Sequence, residues 1–177
     1  MRPARLRRSL LAALMTLFAA DLQAQFTHAD SLRGGLPPER TCYDVHFYHL
    51  DVRIDPADSS VRGSNTIVFI GVEPSRIIQL DLFANMDLGR VTLDDSAEPL
   101  PVTRELGALF IRLSKPLEVG RSYTLCVEYG GKPQVAKRPP WDGGFIWTRD
   151  SSGQPWVAVT CQGTGASLWW PNKDHLQ

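Results

Sequence analysis

From Cys42 onward, apolar residues recur at every second position in short runs broken by turn residues, and a pattern of that period buries one face only as β-strand. In the first run His46, Tyr48, Leu50, Val52 and Ile54 share one face, and Phe47, His49, Asp51 and Arg53 share the other. Asp55-Pro56-Ala57-Asp58 then predicts a turn, because proline presets its backbone angle and aspartate accepts from nearby amides. A second run covers Gly63 to Val72, with Ile67 and Phe69 alternating against Thr66 and Val68. Further strands are expected at Ile77 to Leu82, Met86 to Leu93, Leu109 to Leu113 and Tyr123 to Tyr129. Lys132 to Pro140 reads as a loop, and Phe145 to Thr148 and Trp156 to Thr160 read as two late strands around a turn at Asp150 to Gly153. No stretch holds a period of 3.6 over a full helical length. Short amphipathic strands must each bury a face, so the expected fold is all-β, an antiparallel β-sandwich or related two-sheet domain, with a β-barrel as the nearest alternative.

The residues before this pattern read differently. Arg2, Arg5, Arg7 and Arg8 form a basic start, Ser9 to Ala20 an apolar stretch, and Leu22-Gln23-Ala24 a cleavage site before Gln25. As a helix the apolar stretch would rise about 18 Å, short of the roughly 30 Å hydrocarbon core of a bilayer. Residues 1–24 are therefore expected to be a signal peptide, and the mature chain to be exported without a transmembrane span, to the periplasm, the cell surface or the medium. Residues 25–41, with Gly34-Gly35 and Pro37-Pro38, read as an extended lead-in to a β-domain over 42–177.

Charge and cysteine usage exclude some functions. The whole chain carries 19 basic and 19 acidic residues, and the segment before Gln25 holds four of the former and one of the latter. The mature chain is thus mildly acidic and lacks a basic stripe, which argues against nucleic acid as a partner. The three cysteines, Cys42, Cys126 and Cys161, allow one disulfide in any of three pairings, or three small thiols on strands. Neither a zinc-knuckle spacing nor a Cys-x-x-Cys is present.

No catalytic constellation emerges from the motifs. The four histidines, His28, His46, His49 and His175, include no His-Glu-x-x-His, and strand pleating sends His46 and His49 to opposite faces. Ser167 lacks a Gly-x-Ser-x-Gly elbow and is expected to bond locally. Gly163 and Gly165 precede no helix that could complete a nucleotide site, so they read as a tight turn or a point of close approach. Trp141, Trp147, Trp156, Trp169 and Trp170 crowd the C-terminal end, and packing within or between domains is their first reading. The segment from Trp156 to His175 nonetheless joins a strand to a loop rich in polar and aromatic groups, the arrangement of a binding edge.

Tyr43-Asp44-Val45, Tyr48-x-Leu50-Asp51-Val52, Gly63-x-Asn65-x-Ile67-x-Phe69 and Gly143-Gly144-Phe145-x-Trp147 together resemble the N-terminal domain of M1-family zinc aminopeptidases. Cys161-Gln162-Gly163-x-Gly165-Ala166-x-x-Trp169-Trp170-Pro171-Asn172-Lys173-Asp174 is the most specific part of the likeness, which runs from Cys42 to His175. The resemblance implies a saddle-shaped β-domain packed on a thermolysin-like catalytic domain. It implies that Gln162 holds the free amino end of a peptide while Gly163 and Gly165 let the backbone approach. It also implies that Trp169, Trp170, Lys173 and Asp174 pack between domains. The family's zinc is held by His-Glu-x-x-His and a later glutamate, and a Gly-x-Met-Glu-Asn motif helps to recognise the amino end; none of these occurs here. The expectation is therefore a noncatalytic flank, incomplete at its C-terminal edge, with no cofactor of its own and zinc in a missing catalytic domain. A stand-alone β-sandwich adaptor is the principal alternative, and carbohydrate binding through the tryptophans a third.

Overall fold

In the computed structural model, which describes residues 27–94 and 96–175, the alternating runs become strands. The proposed signal peptide lies outside the described residues. Two short helices come first, α1 (His28–Gly34) and α2 (Pro38–Thr41). The strands then follow as β1 (Tyr43–Asp55), β2 (Ser60–Gly71), β3 (Ile77–Asp81), β4 (Met86–Leu93), β5 (Val102–Glu105), β6 (Ala108–Arg112), β7 (Ser122–Gly131), β8 (Gly144–Arg149) and β9 (Pro155–Thr160). One sheet runs in the order β1-β2-β7-β4 and a second in the order β3-β6-β5, while β8 and β9 pair as a hairpin. All of these pairings are antiparallel, so the fold is an all-β, sandwich-like domain of two multi-stranded sheets rather than a closed barrel.

The core forms where the alternating faces meet. Ile67 and Phe69 on β2 and Leu125 and Val127 on β7 are buried together with Ile78 and Leu80 on β3 and Leu109 and Ile111 on β6. Full burial of each such side chain stabilises the fold by about 1.5–3 kcal/mol. Phe69 sits between two tyrosines, edge-on to Tyr43 at 5.1 Å and stacked on Tyr123 at 5.4 Å. Asn65 interrupts the apolar face of β2 and is also fully buried. Its Nδ2 donates to the Pro171 carbonyl at 2.7 Å, so the exception to the pattern is the point where the sheet receives the C-terminal segment.

Three expectations are corrected. The lead-in is not extended throughout, because Thr27 caps α1 in a reciprocal box with Asp30, which satisfies amides that a helix start leaves open. His46 does not share a face with Tyr48, because a β-bulge between Val45 and Phe47 shifts the phase of β1 and leaves His46 exposed. A short strand, β5, pairs with β6 where no strand was expected, since its four residues are too few to display a period. Elsewhere the turns behave as read. Asp55 Oδ1 accepts from the amides of Ala57 at 2.9 Å and Asp58 at 3.3 Å, closing the β1–β2 hairpin. Cys42, Cys126 and Cys161 are all free thiols. Among the described residues no helix is long and apolar enough to cross a membrane.

Candidate functional site

The C-terminal segment is fastened to the domain by a buried ion pair. Arg40, the third residue of α2, is 0% exposed, and its Nη2 lies 2.5 Å from Asp81 Oδ1 at the end of β3. The same guanidinium donates to the carbonyls of Leu32 at 2.7 Å, Arg33 at 2.9 Å and Asp174 at 3.2 Å. It therefore satisfies the carbonyls that α1 leaves open at its C-terminal end and ties them to the end of the chain. Asp81 pairs with Asn172 as an isolated antiparallel bridge, and its Oδ2 accepts from the Asp174 amide at 3.2 Å.

Lys173 and Asp174 spend their polar groups on this domain. Lys173 is buried, with its ammonium 2.8 Å from the Tyr43 carbonyl and 4.7 Å from the Tyr43 ring centroid. Desolvation lowers its pKa below the usual lysine value. The Asp174 carboxylate accepts from Ser167 Oγ at 2.7 Å, so the serine does bond locally, as its sequence context suggested. Trp169 and Trp170 are half-buried. Trp169 packs edge-on against Phe145 at 5.7 Å, and Trp170 edge-on against Tyr48 at 5.2 Å. By contrast Trp141 is 76% exposed and Trp156 is 60% exposed.

Gln162 stands at the end of β9, where the Cys161 carbonyl accepts from the amides of Thr164 at 3.1 Å and Gly165 at 3.0 Å. Its side chain is exposed, and no described residue hydrogen-bonds its amide. Gly163 and Gly165 both lie in the left-handed region, at φ 69° and 72°. A Cβ at Gly165 would come within 2.4 Å of Asp174 Oδ2, so this glycine also permits a close approach. The sequence-level residues Gln162, Gly163, Gly165, Trp169, Trp170, Lys173 and Asp174 thus fall on one continuous loop. Its anchors, Arg33, Arg40 and Asp81, carried no functional signal in the sequence apart from the Thr27-x-x-Asp30 capping pattern ahead of Arg33.

The described residues do not fit a zinc site. Among them no group of three or more His, Cys, Asp or Glu side chains converges on one point. His28 on α1 instead meets Glu105 at 2.7 Å, and His46 lies 3.8 Å from Asp44 on the exposed face of β1.

Burial pushes the Asp81 carboxyl up to about 6 despite the adjacent Arg40. A carboxyl with a raised folded pKa binds its proton more tightly when folded. Its stabilising share is complete below the unfolded value near 3.8 and is lost as pH rises through about 6. Urea unfolding at pH 4 to 7 should therefore show wild type losing stability relative to Asp81→Asn, with a slope of at most about 1.4 kcal/mol per pH unit. A difference between the two proteins that does not vary with pH would refute the assignment.

No family model matches the chain, and no curated protein matches it. Solved structures do. An M1 zinc metallopeptidase from Deinococcus radiodurans superposes with a TM-score of 0.54 at 20% identity, over 77% of this chain and 30% of that one. A mutant of the Deinococcus radiodurans M1 zinc metallopeptidase bound to a Tyr-Ser-Ala substrate matches with a TM-score of 0.54 at 20% identity, over 76% of this chain and 30% of the other. A mutant two-domain M1 zinc metallopeptidase bound to L-tryptophan matches with a TM-score of 0.54 at 19% identity, over 77% and 30%. The chain therefore has the fold of one part of these metallopeptidases and spans 30% of their length.

Proposed function

We propose that this chain is the noncatalytic substrate-cleft domain of an exported zinc aminopeptidase that removes N-terminal residues from peptides. The observation that carries the reading is Gln162, an exposed carboxamide with no partner among the described residues, on a loop whose neighbours are anchored in the core. A carboxamide oxygen accepts from an ammonium group while its NH2 donates elsewhere, which suits the free amino end of a peptide. The solved structures of like fold support the same chemistry, since they hold a Tyr-Ser-Ala substrate, L-arginine or L-tryptophan. Peptide N-termini are the proposed ligand, and a catalytic domain carrying the zinc is the proposed partner, with Trp169, Trp170, Lys173 and Asp174 bordering the contact.

The zinc-loaded, purified chain should release no product from aminoacyl substrates, and the gene should continue beyond codon 177 through Gly-x-Met-Glu-Asn and His-Glu-x-x-His. In the joined protein, Gln162→Ala should raise KM for unblocked peptides about ten-fold or more, the loss of a hydrogen bond to a charged group. Hydrolysis by the isolated chain, or an unchanged KM, would sink this reading. The second reading, a stand-alone β-sandwich adaptor, draws on the exposed rings of Trp141 and Trp156. A stop codon at 178 would favour it.

A further inference from the structure

Resting on the cleft reading of Gln162, we propose that Arg33 of α1 is the positioning residue of the substrate loop. The turn holding Gln162 sits at the end of a hairpin, and Gly163 gives it no packing of its own, since a Cβ there would meet nothing within 4 Å. Arg33 reaches this turn from the opposite end of the chain. Its Nη2 donates to the Gly163 carbonyl at 3.3 Å and to the Thr164 carbonyl beside it, the two acceptors that follow Gln162. The guanidinium lies over the Phe83 ring at 5.2 Å, a cation–π contact that helps to hold it in place.

The base from which Arg33 reaches is itself fixed. His28 at the start of α1 meets Glu105 at 2.7 Å, and at its other end the carbonyls of Leu32 and Arg33 are held by the buried Arg40 guanidinium. Between helix and loop runs an open groove of about 360 Å³, bordered by Asp30, Gly34, Gly165 and Asp174 as well as Arg33 and Gly163. Across that groove the contact is made by the Arg33 side chain rather than by close packing. Removing its donors therefore frees the Gln162 turn without opening the core, and the helix ahead of the sheets becomes part of the substrate site.

The test compares the wild-type chain with Arg33→Met, which keeps the apolar stem, and Arg33→Lys, which restores a donor. Amide hydrogen exchange at Thr164 and Gly165, whose N–H groups close the turn on Cys161, should accelerate about ten-fold or more in Arg33→Met. Exchange in β2 and β7 should stay unchanged, and Arg33→Lys should recover part of the protection. Tyr-Ser-Ala titrated against the Thr164 and Gly165 amide resonances should bind about ten-fold more weakly to Arg33→Met, and its N-acetylated form should shift neither protein. On a Gln162→Ala background Arg33→Met should weaken binding no further. Unchanged exchange at Thr164 and Gly165, or an undiminished effect of Arg33→Met without Gln162, overturns the proposal. If wild type takes up no peptide, the cleft reading of Gln162 fails, and Arg33 as the loop's positioning residue is decided by the exchange result.

Discussion

Replacing Arg40 by methionine is expected to cost about 3–5 kcal/mol of folding stability, the penalty for breaking a buried ion pair from one side. Methionine fills much of the space, so the loss is polar rather than steric. It strips a donor from the carbonyls of Leu32, Arg33 and Asp174 and the cation from Asp81. The Leu32 carbonyl keeps Gln79 Nε2 at 2.9 Å, so the loss falls on the carbonyls of Arg33 and Asp174 at up to about 1–3 kcal/mol each, and Asp81 lessens its own share by staying protonated. Urea unfolding at neutral pH measures the effect, and thermal melting should fall by about 10 °C for a domain of this size. Changing both partners, Arg40→Met with Asp81→Leu, should recover part of the loss, because neither charge then remains buried alone. A single-variant loss under about 1 kcal/mol would mean that the ion pair does not hold the C-terminal segment.

Gly165→Ala should be the most damaging small change in the loop, at about 2–4 kcal/mol. Two costs combine. At φ 72° an L side chain crowds the following carbonyl, and the new Cβ would lie 2.4 Å and 2.6 Å from the two carboxylate oxygens of Asp174. That carboxylate cannot withdraw without leaving Ser167 Oγ, from which it accepts a hydrogen bond at 2.7 Å. Gly163→Ala is the control, since it too has a positive φ, 69°, but opens onto free space. It should cost about 1 kcal/mol, and equal losses at the two positions would show that the Asp174 contact contributes nothing.

Much of the sheet was legible because its faces are either apolar or solvated, so a period of two survives in β2 and β7. The bulge at His46 was not, because inserting one residue shifts phase without changing composition, and both possible faces of β1 contain aromatic rings. Helix α1 was missed for want of length, although Thr27 and Asp30 stand at capping-box spacing. The loop residues around Gln162 were legible as a group, since glycines and tryptophans concentrate there. What supports them was not. Arginine is ordinarily a surface residue, and nothing near Arg40 in the sequence says that Asp81, 41 positions on, will neutralise it. Lys173 is a similar case, with its ammonium bonded to a carbonyl 130 positions earlier.

Those separations govern the order of assembly. Arg40 and Asp174 are 134 positions apart, and Arg33 and Gly163 are 130 apart, so the candidate site is closed by some of the longest-range contacts in the chain. Contacts of that span must overcome the entropy of a large loop and form late. On a ribosome adding about 5–20 residues each second, α1 and the sheets are made first, and the segment after β9 emerges after them. A nascent chain whose two sheets have paired still lacks Leu168 in its core and the long-range ties of the Gln162 turn. The long-range ties of the candidate site therefore form only when residues 161–175 have left the exit tunnel and packed against α1.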